Sequence, residues 1–343
     1  MSDTPTQMRQ EVLEIPEAVD RLLSRGTPTI AKIAQAAAKA DPRFAVTVAR
    51  GSSDHACTFF KYALELELGL PVASIGPSIA SLYGAELKLA QSITLSVSQS
   101  GQSPDIVAMS AAATKSGSFT VAITNDATAP LSDASTHTID IHAGPERSVA
   151  ATKTFVTSAV AGLILLAEWK GCAALRAALR ALPQQLSDAT KLDWPELRAA
   201  IAPASSLFTL GRGPAWAISN EAALKFKETC QIHAESYSSA EVLHGPVSIV
   251  ERGFPVLCFA SADAAETAVT AVADQLAAKG AQVFVSSDAA QTAQSLPRVR
   301  TGHRLTDPLA LIVSFYTMIE KVAAERGVNP DAPRHLKKVT ETT

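Results

Sequence analysis

Residues 92–105, SITLSVSQSGQSPD, decide the fold. Ile93, Leu95 and Val97 alternate with small hydroxyl residues over a strand's length. The run then breaks into Ser98-Gln99-Ser100-Gly101-Gln102-Ser103 ahead of an Ala-rich segment with helical character. The expectation is strand, polar loop, helix. Such a loop sets backbone N–H groups and three hydroxyls at a helix N-terminus, where unpaired amides and the helix dipole favour an anion such as phosphate, and Gly101 allows close approach. Taken alone, the loop is better read as an ordinary Ser-rich N-cap.

The same strand–loop–helix unit recurs on both sides of it. Phe44–Val48 (FAVTV) runs into Ala49-Arg50-Gly51-Ser52-Ser53 and a helix, Pro71–Ile75 is a short strand, and Phe119–Thr124 a fourth. Strands alternating with helices imply an α/β fold, a parallel doubly wound sheet with its ligand at the carboxyl ends of the strands. Two of those ends, Gly51-Ser52-Ser53 and Ser98–Ser103, are rich in hydroxyls. Before the strands, Met8, Val12, Ile15 and Val19 recur at helical spacing, and Thr29–Ala40 is a second Ala- and Ile-rich helical run.

Near Pro183 the pattern lapses, and the following stretch, with three prolines, reads as helix plus linker between two domains. Ser206–Leu210 (SLFTL) then leads into Gly211-Arg212-Gly213-Pro214 and a long helix, an echo of the first half that points to internal duplication. Phe254–Ala260 continues the echo, but its loop, Ser261-Ala262-Asp263, lacks the SQSG character. One half is therefore expected to hold phosphate and the other to supply different groups. With 343 residues, of which 47% are hydrophobic and 5% aromatic, the chain suffices for two such domains.

Charge and composition exclude other classes. The 30 basic and 33 acidic residues are spread evenly, a net charge of -3, so no field gathers nucleic acid or an anionic membrane. Cys57, Cys172, Cys230 and Cys258 lie far apart without metal-binding spacing and read as reduced core thiols. The charged N-terminus does not suit a signal peptide, and Phe155–Trp169 is too short to span a bilayer, so a cytoplasmic protein with a buried helix there is expected.

A second informative stretch is Glu221–Pro246, EAALKFKETCQIHAESYSSAEVLHGP. On a helix Glu221, Lys225 and Glu228 share one face, while Ala222, Ala223 and Phe226 form most of another. Alone, this is a solvated stripe with a Glu-to-Lys pair worth a few tenths of a kcal/mol. His244 before Gly245-Pro246 adds a turn that presents an imidazole to a cavity.

Together the motifs carry a resemblance. GSS (51–53), SQSGQSPD (98–105), ERSVAATKTF (146–155), EAALKFKE (221–228), HAES-Y (233–237), EVLHGP (241–246) and PRHLKK (333–338) stand in the order found in the double sugar isomerase (SIS) domain family. The chain resembles the isomerase half of glucosamine-fructose-6-phosphate aminotransferase and, more closely, stand-alone amino-sugar-phosphate deaminases. The resemblance implies two tandem flavodoxin-like domains. In these terms residues 1–40 are N-terminal helices, 41–185 a phosphate-binding SIS domain, 196–328 a second one, and 329–343 a tail over the active site.

By the same resemblance Ser53, Ser98, Gln99, Ser100 and Ser103 hold the sugar phosphate, and Glu228 is the proton-transfer base. His244 opens the sugar ring, reaching in from a neighbouring subunit of a homodimer with shared sites. Glu221 and Lys225 line the same wall. Arg334 matches a tail arginine, and Lys338 matches the lysine that forms a Schiff base in the aminotransferase, although Lys338 also fits a solvated tail lysine. No metal or redox cofactor is implied.

Two departures set the expected reaction. The isomerase part starts almost at Met1, leaving no room for an ammonia-releasing glutaminase domain, and Ala151 replaces a hydroxyl of the aminotransferase. The expectation is a deaminase converting glucosamine 6-phosphate to fructose 6-phosphate and ammonia. Galactosamine 6-phosphate, a fructosamine 6-phosphate, or a sensing role without catalysis are the alternatives.

Overall fold

The chain's structure, a computed structural model, describes residues 5–338. It divides into two compact units that are not contiguous in sequence. One takes Glu17–Glu146, Lys153–Arg180 and Lys337–Lys338; the other takes residues 5–16, Arg147–Thr152 and Ala181–Leu336.

The first unit is built on five parallel strands, β1 (Phe44–Val48), β2 (Val72–Ser74), β3 (Ser92–Val97), β4 (Phe119–Thr124) and β5 (His137–Asp140), in the order β2-β1-β3-β4-β5. The chain leaves β1 toward β2 and returns on the other side to β3. This reversal opens a crevice at the carboxyl ends of β1 and β3, where doubly wound sheets take their ligands. All of β3 is buried, as a central strand covered on both faces must be. One face packs Val46, Val48 and Ala122 against Ile106 and Met109.

The helix Lys153–Lys170 is buried from Lys153 through Ala167 and packs against the helices Thr27–Ala40 and Ser52–Leu68. Gly162 permits that approach, because a Cβ there would lie 2.1 Å from the Phe60 ring. Among the described residues no helix is long and apolar enough to cross a membrane.

The second unit repeats the design. Strands β6 (Ser206–Gly211), β7 (His233–Ser238), β8 (Pro255–Cys258), β9 (Gln282–Val285) and β10 (Gln294–Ser295) pair in parallel in the order β10-β9-β8-β6-β7, the same winding read from the other edge. The duplication expected from SLFTL-GRGP is therefore a duplication of topology. The division between the two units falls at Arg180 and Ala181, close to Pro183, and the chain there is helical. The helix Ala173–Ala189 runs through Pro183, because Leu175, Leu179, Leu182 and Leu186 bury one face and offset the backbone bond that proline cannot donate. A further helix, Pro195–Ile201, follows within the stretch read as linker.

Candidate active-site groups

In the first unit β1 ends at Val48, and Gly51, at φ +55°, turns the chain into the helix Ser52–Leu68, placing Ser53 in its first turn. Across the crevice β3 ends at Val97 and the loop Ser98–Ser103 feeds the helix Pro104–Lys115. Neither N-cap residue caps its helix with a side chain, Gly51 having none to offer and the Ser103 hydroxyl not folding back, while in the second helix Asp105 Oδ1 accepts from Ile106 N–H at 2.9 Å. Both N-termini are thus left with the positive end of the helix toward the crevice.

Backbone bonds fix the loop's path. Ser98 N–H donates to Ile123 O at 3.1 Å, Asn125 N–H to Gln99 O at 3.1 Å and Leu131 N–H to Gly101 O at 3.1 Å. The Ser98 hydroxyl accepts from Gly101 N–H at 3.2 Å and the Ser100 hydroxyl from Gln102 N–H at 3.3 Å. Gly101 is required twice over, by φ +63° and because a Cβ would lie 2.6 Å from the Ala129 Cβ. Ser53, Gln99, Ser100 and Ser103 are half-buried, while Ser98 is 7% exposed.

One cross-brace at this crevice escaped the sequence reading. Arg50, after β1, donates through Nε to Oδ2 of the fully buried Asp105 at 2.6 Å, and its second nitrogen pairs with the same oxygen. The two residues are 55 positions apart, and their pairing depends on β1 and β3 being adjacent. Nearby, burial pushes the Asp54 carboxyl above its usual value, with the positive charges of His55 and Arg50 opposing.

The motif ERSVAATKTF opens the buried helix Lys153–Lys170. Glu146 Oε1 accepts from Thr154 N–H at 3.0 Å and Oε2 from the Thr154 hydroxyl at 2.7 Å, and Oε2 also pairs with Lys338 Nζ at 2.8 Å. Burial alone would raise the Glu146 carboxyl, yet the charge and hydrogen bond of Lys338 and the bonds from Thr154 hold it below its ordinary value. Lys338 is thus placed as the counter-ion of a buried carboxylate. Arg334 is exposed and belongs to the other unit.

In the second unit the helix Pro214–Cys230 carries Glu221, Lys225 and Glu228. They do not form a solvated stripe. The side chains of Glu221 and Lys225 are 0% exposed and that of Glu228 20%. Lys225 Nζ lies 3.2 Å from Glu221 Oε1 and 2.6 Å from Glu228 Oε2. Burial would drive the Lys225 ammonium down, but the two carboxylates more than offset it and hold it well above the ordinary lysine value. Lys225 is a fixed cation here, unsuited to act as a base or nucleophile. A group the sequence reading missed completes the cluster: the buried Tyr316, on the helix Asp307–Glu325, donates its hydroxyl to Glu221 Oε1 at 3.1 Å.

His244 ends the 3-10 turn Glu241–His244 and is exposed, flanked by Leu243 and Ile249 at 37% and 55% exposure. At the strand ends after β8 and β9, Ser261, Ser286 and Ser287 are buried, and Arg300 braces the region. Its guanidinium donates to Ala260 O and Ser286 O, both at 3.0 Å, to Glu266 Oε1 at 2.6 Å and to Asp307 Oδ2 at 2.7 Å.

Comparison with known proteins adds the following. The family model for the SIS domain matches residues 40–167 and 200–293. A glutamine–fructose-6-phosphate aminotransferase (isomerizing) of Symbiobacterium thermophilum is 32% identical over 96% of the chain, which spans 58% of that protein. The chain spans about half to three-fifths of the length of such curated relatives. Among solved structures, a Silicibacter pomeroyi DSS-3 protein described provisionally as a phosphosugar isomerase superposes with TM-score 0.93 at 63% identity, covering 95% of this chain and 100% of its own. The C-terminal domain of glucosamine-fructose-6-phosphate aminotransferase from Francisella tularensis shares the fold, with TM-score 0.84 at 23% identity over 96% of this chain and 99% of that domain.

Proposed function

The chain belongs to the SIS domain family, and on that premise we propose that it is a phosphosugar isomerase that releases ammonia from glucosamine 6-phosphate, leaving fructose 6-phosphate. The observation that carries this reading is the Glu221–Lys225–Glu228 cluster, in which Glu228 alone keeps part of its side chain exposed and is held by a permanent cation. A carboxylate fixed in this way suits proton transfer between adjacent carbons.

His244 assists ring opening to the aldehyde. Glu228 removes the proton from C2, giving an enolamine, and returns a proton to C1, giving a C2 imine. Water adds at C2 and the nitrogen leaves as ammonia. The substrate's own amine supplies the imine, which accords with Lys338 being engaged by Glu146. Ser53, Ser98, Gln99, Ser100 and Ser103 hold the 6-phosphate, with two helix N-termini whose N-cap side chains make no capping bond favouring its charge. The exposed His244, Leu243 and Ile249 support a homodimer in which a second copy covers this face.

The test is a coupled assay of ammonia and ketose phosphate over glucosamine 6-phosphate, galactosamine 6-phosphate, a fructosamine 6-phosphate and the amine-free hexose 6-phosphates. Glucosamine 6-phosphate is expected to give both products in equal amounts. Interconversion of amine-free sugars without ammonia would leave an isomerase and remove the deaminase. Binding without turnover of any of them would make the chain a sensor.

A further inference from the structure

The Glu221 carboxylate is fully buried, and so is the ring that reaches it from another helix. A buried carboxylate is costly unless several donors satisfy it. Tyr316 and Lys225 approach the same oxygen, Oε1, at 3.1 Å and 3.2 Å, while the ammonium lies closer, at 2.6 Å, to Glu228. The hydroxyl thus takes part of the charge of Glu221, and the ammonium is left leaning on Glu228. Phenylalanine would fill the same space; the phenolic oxygen is what this position adds.

We infer that Tyr316 is a positioning residue: its hydroxyl anchors Glu221, Glu221 anchors the Lys225 ammonium, and the ammonium fixes the orientation of the Glu228 carboxylate. The inference rests on the reading of Glu228 as the proton carrier. Tyr316 touches no substrate in this scheme. It acts two residues away through a chain of charged hydrogen bonds, which are shorter and stronger than neutral ones.

The experiment is Tyr316→Phe in the full chain, with three readouts. Steady-state kinetics on glucosamine 6-phosphate should show kcat reduced roughly tenfold with KM unchanged, the loss expected when a reacting group is misaligned and substrate binding is not. With substrate deuterated at C2, the share of label carried internally to C1 should fall, because a loosened Glu228 exchanges its proton before returning it. In lysine-labelled protein, hydrogen exchange of the Lys225 ammonium, followed by nitrogen-15 NMR, should accelerate. A merely structural tyrosine would lower the unfolding temperature while leaving kcat, label transfer and ammonium exchange at wild-type values, and that result overturns the inference. If the wild type turns over no sugar phosphate, the functional reading fails, while the ammonium exchange still decides whether Tyr316 holds the cluster.

Discussion

Replacing Lys225 with methionine tests the cluster by its energetics. The substitution keeps the length of the apolar stem and removes one positive charge from between two carboxylates, one fully buried and the other 20% exposed. Removing one partner of a buried ion pair costs about 3–5 kcal/mol, chiefly because a charge is left behind without compensation. For a unit of this size that corresponds to roughly 6–20 °C in the unfolding midpoint. The lysine is raised in the folded chain, so its contribution is complete below the ordinary value of 10.5 and is lost only as pH rises through the raised one. The penalty should therefore be flat between about pH 6 and pH 9. Unfolding of Lys225→Met, Glu221→Gln and the double variant should be followed by calorimetry and denaturant titration. The double variant should recover part of the loss, because the remaining carboxylate, Glu228, reaches solvent. A loss under about 1 kcal/mol, or no recovery in the double variant, would mean that Glu221 is not a buried anion and would undo the argument.

Three more outcomes follow from the geometry. Ser98→Ala with Ser100→Ala should raise KM for the phosphosugar with the fold intact, each lost charge-assisted bond being worth about 1.5–3 kcal/mol, whereas an unphosphorylated amino sugar should be a poor substrate for wild type and variant alike. Gly101→Ala combines φ +63° with a 2.6 Å Cβ contact to Ala129, so it should destabilise the first unit by about 1–3 kcal/mol, measured by thermal unfolding, and weaken phosphate binding. Glu146 is lowered by Lys338 and Thr154, so its stabilisation is complete above the ordinary glutamate value of 4.5 and is lost as pH falls through the lowered one. The stability gap between wild type and Glu146→Gln should be present at neutral pH and close on acidification, and a gap that widens in acid would contradict the assignment.

Much of the framework was legible because its signals are local. FAVTV and FTVAIT appear as β1 and β4 with unchanged bounds, since a buried strand between Gly- and Ser-rich loops leaves a clear pattern. Strands β5 and β7 passed unread for the opposite reason. HTID and HAESYS are half-exposed edge strands with polar residues on their open side, so neither alternates cleanly, and HAESYS registered only as a motif. The stripe on Glu221, Lys225 and Glu228 was visible as a spacing. Its burial was not, because the helix Asp307–Glu325 packs against the one that carries it and brings Tyr316, 95 residues on, to Glu221. Arg50 with Asp105 and Glu146 with Lys338 likewise pair across 55 and 192 residues, separations that no single-sequence pattern encodes.

The central claim is that Glu228 carries the proton between C2 and C1, and Glu228→Gln measures it most directly, keeping the shape while removing the base. On glucosamine 6-phosphate the account predicts kcat lower by roughly 100-fold or more with KM little changed, and loss of the label transfer from C2 to C1 expected of the wild type. Retention of full activity, with label still carried to C1, would contradict it and would move the search for the base to another carboxylate.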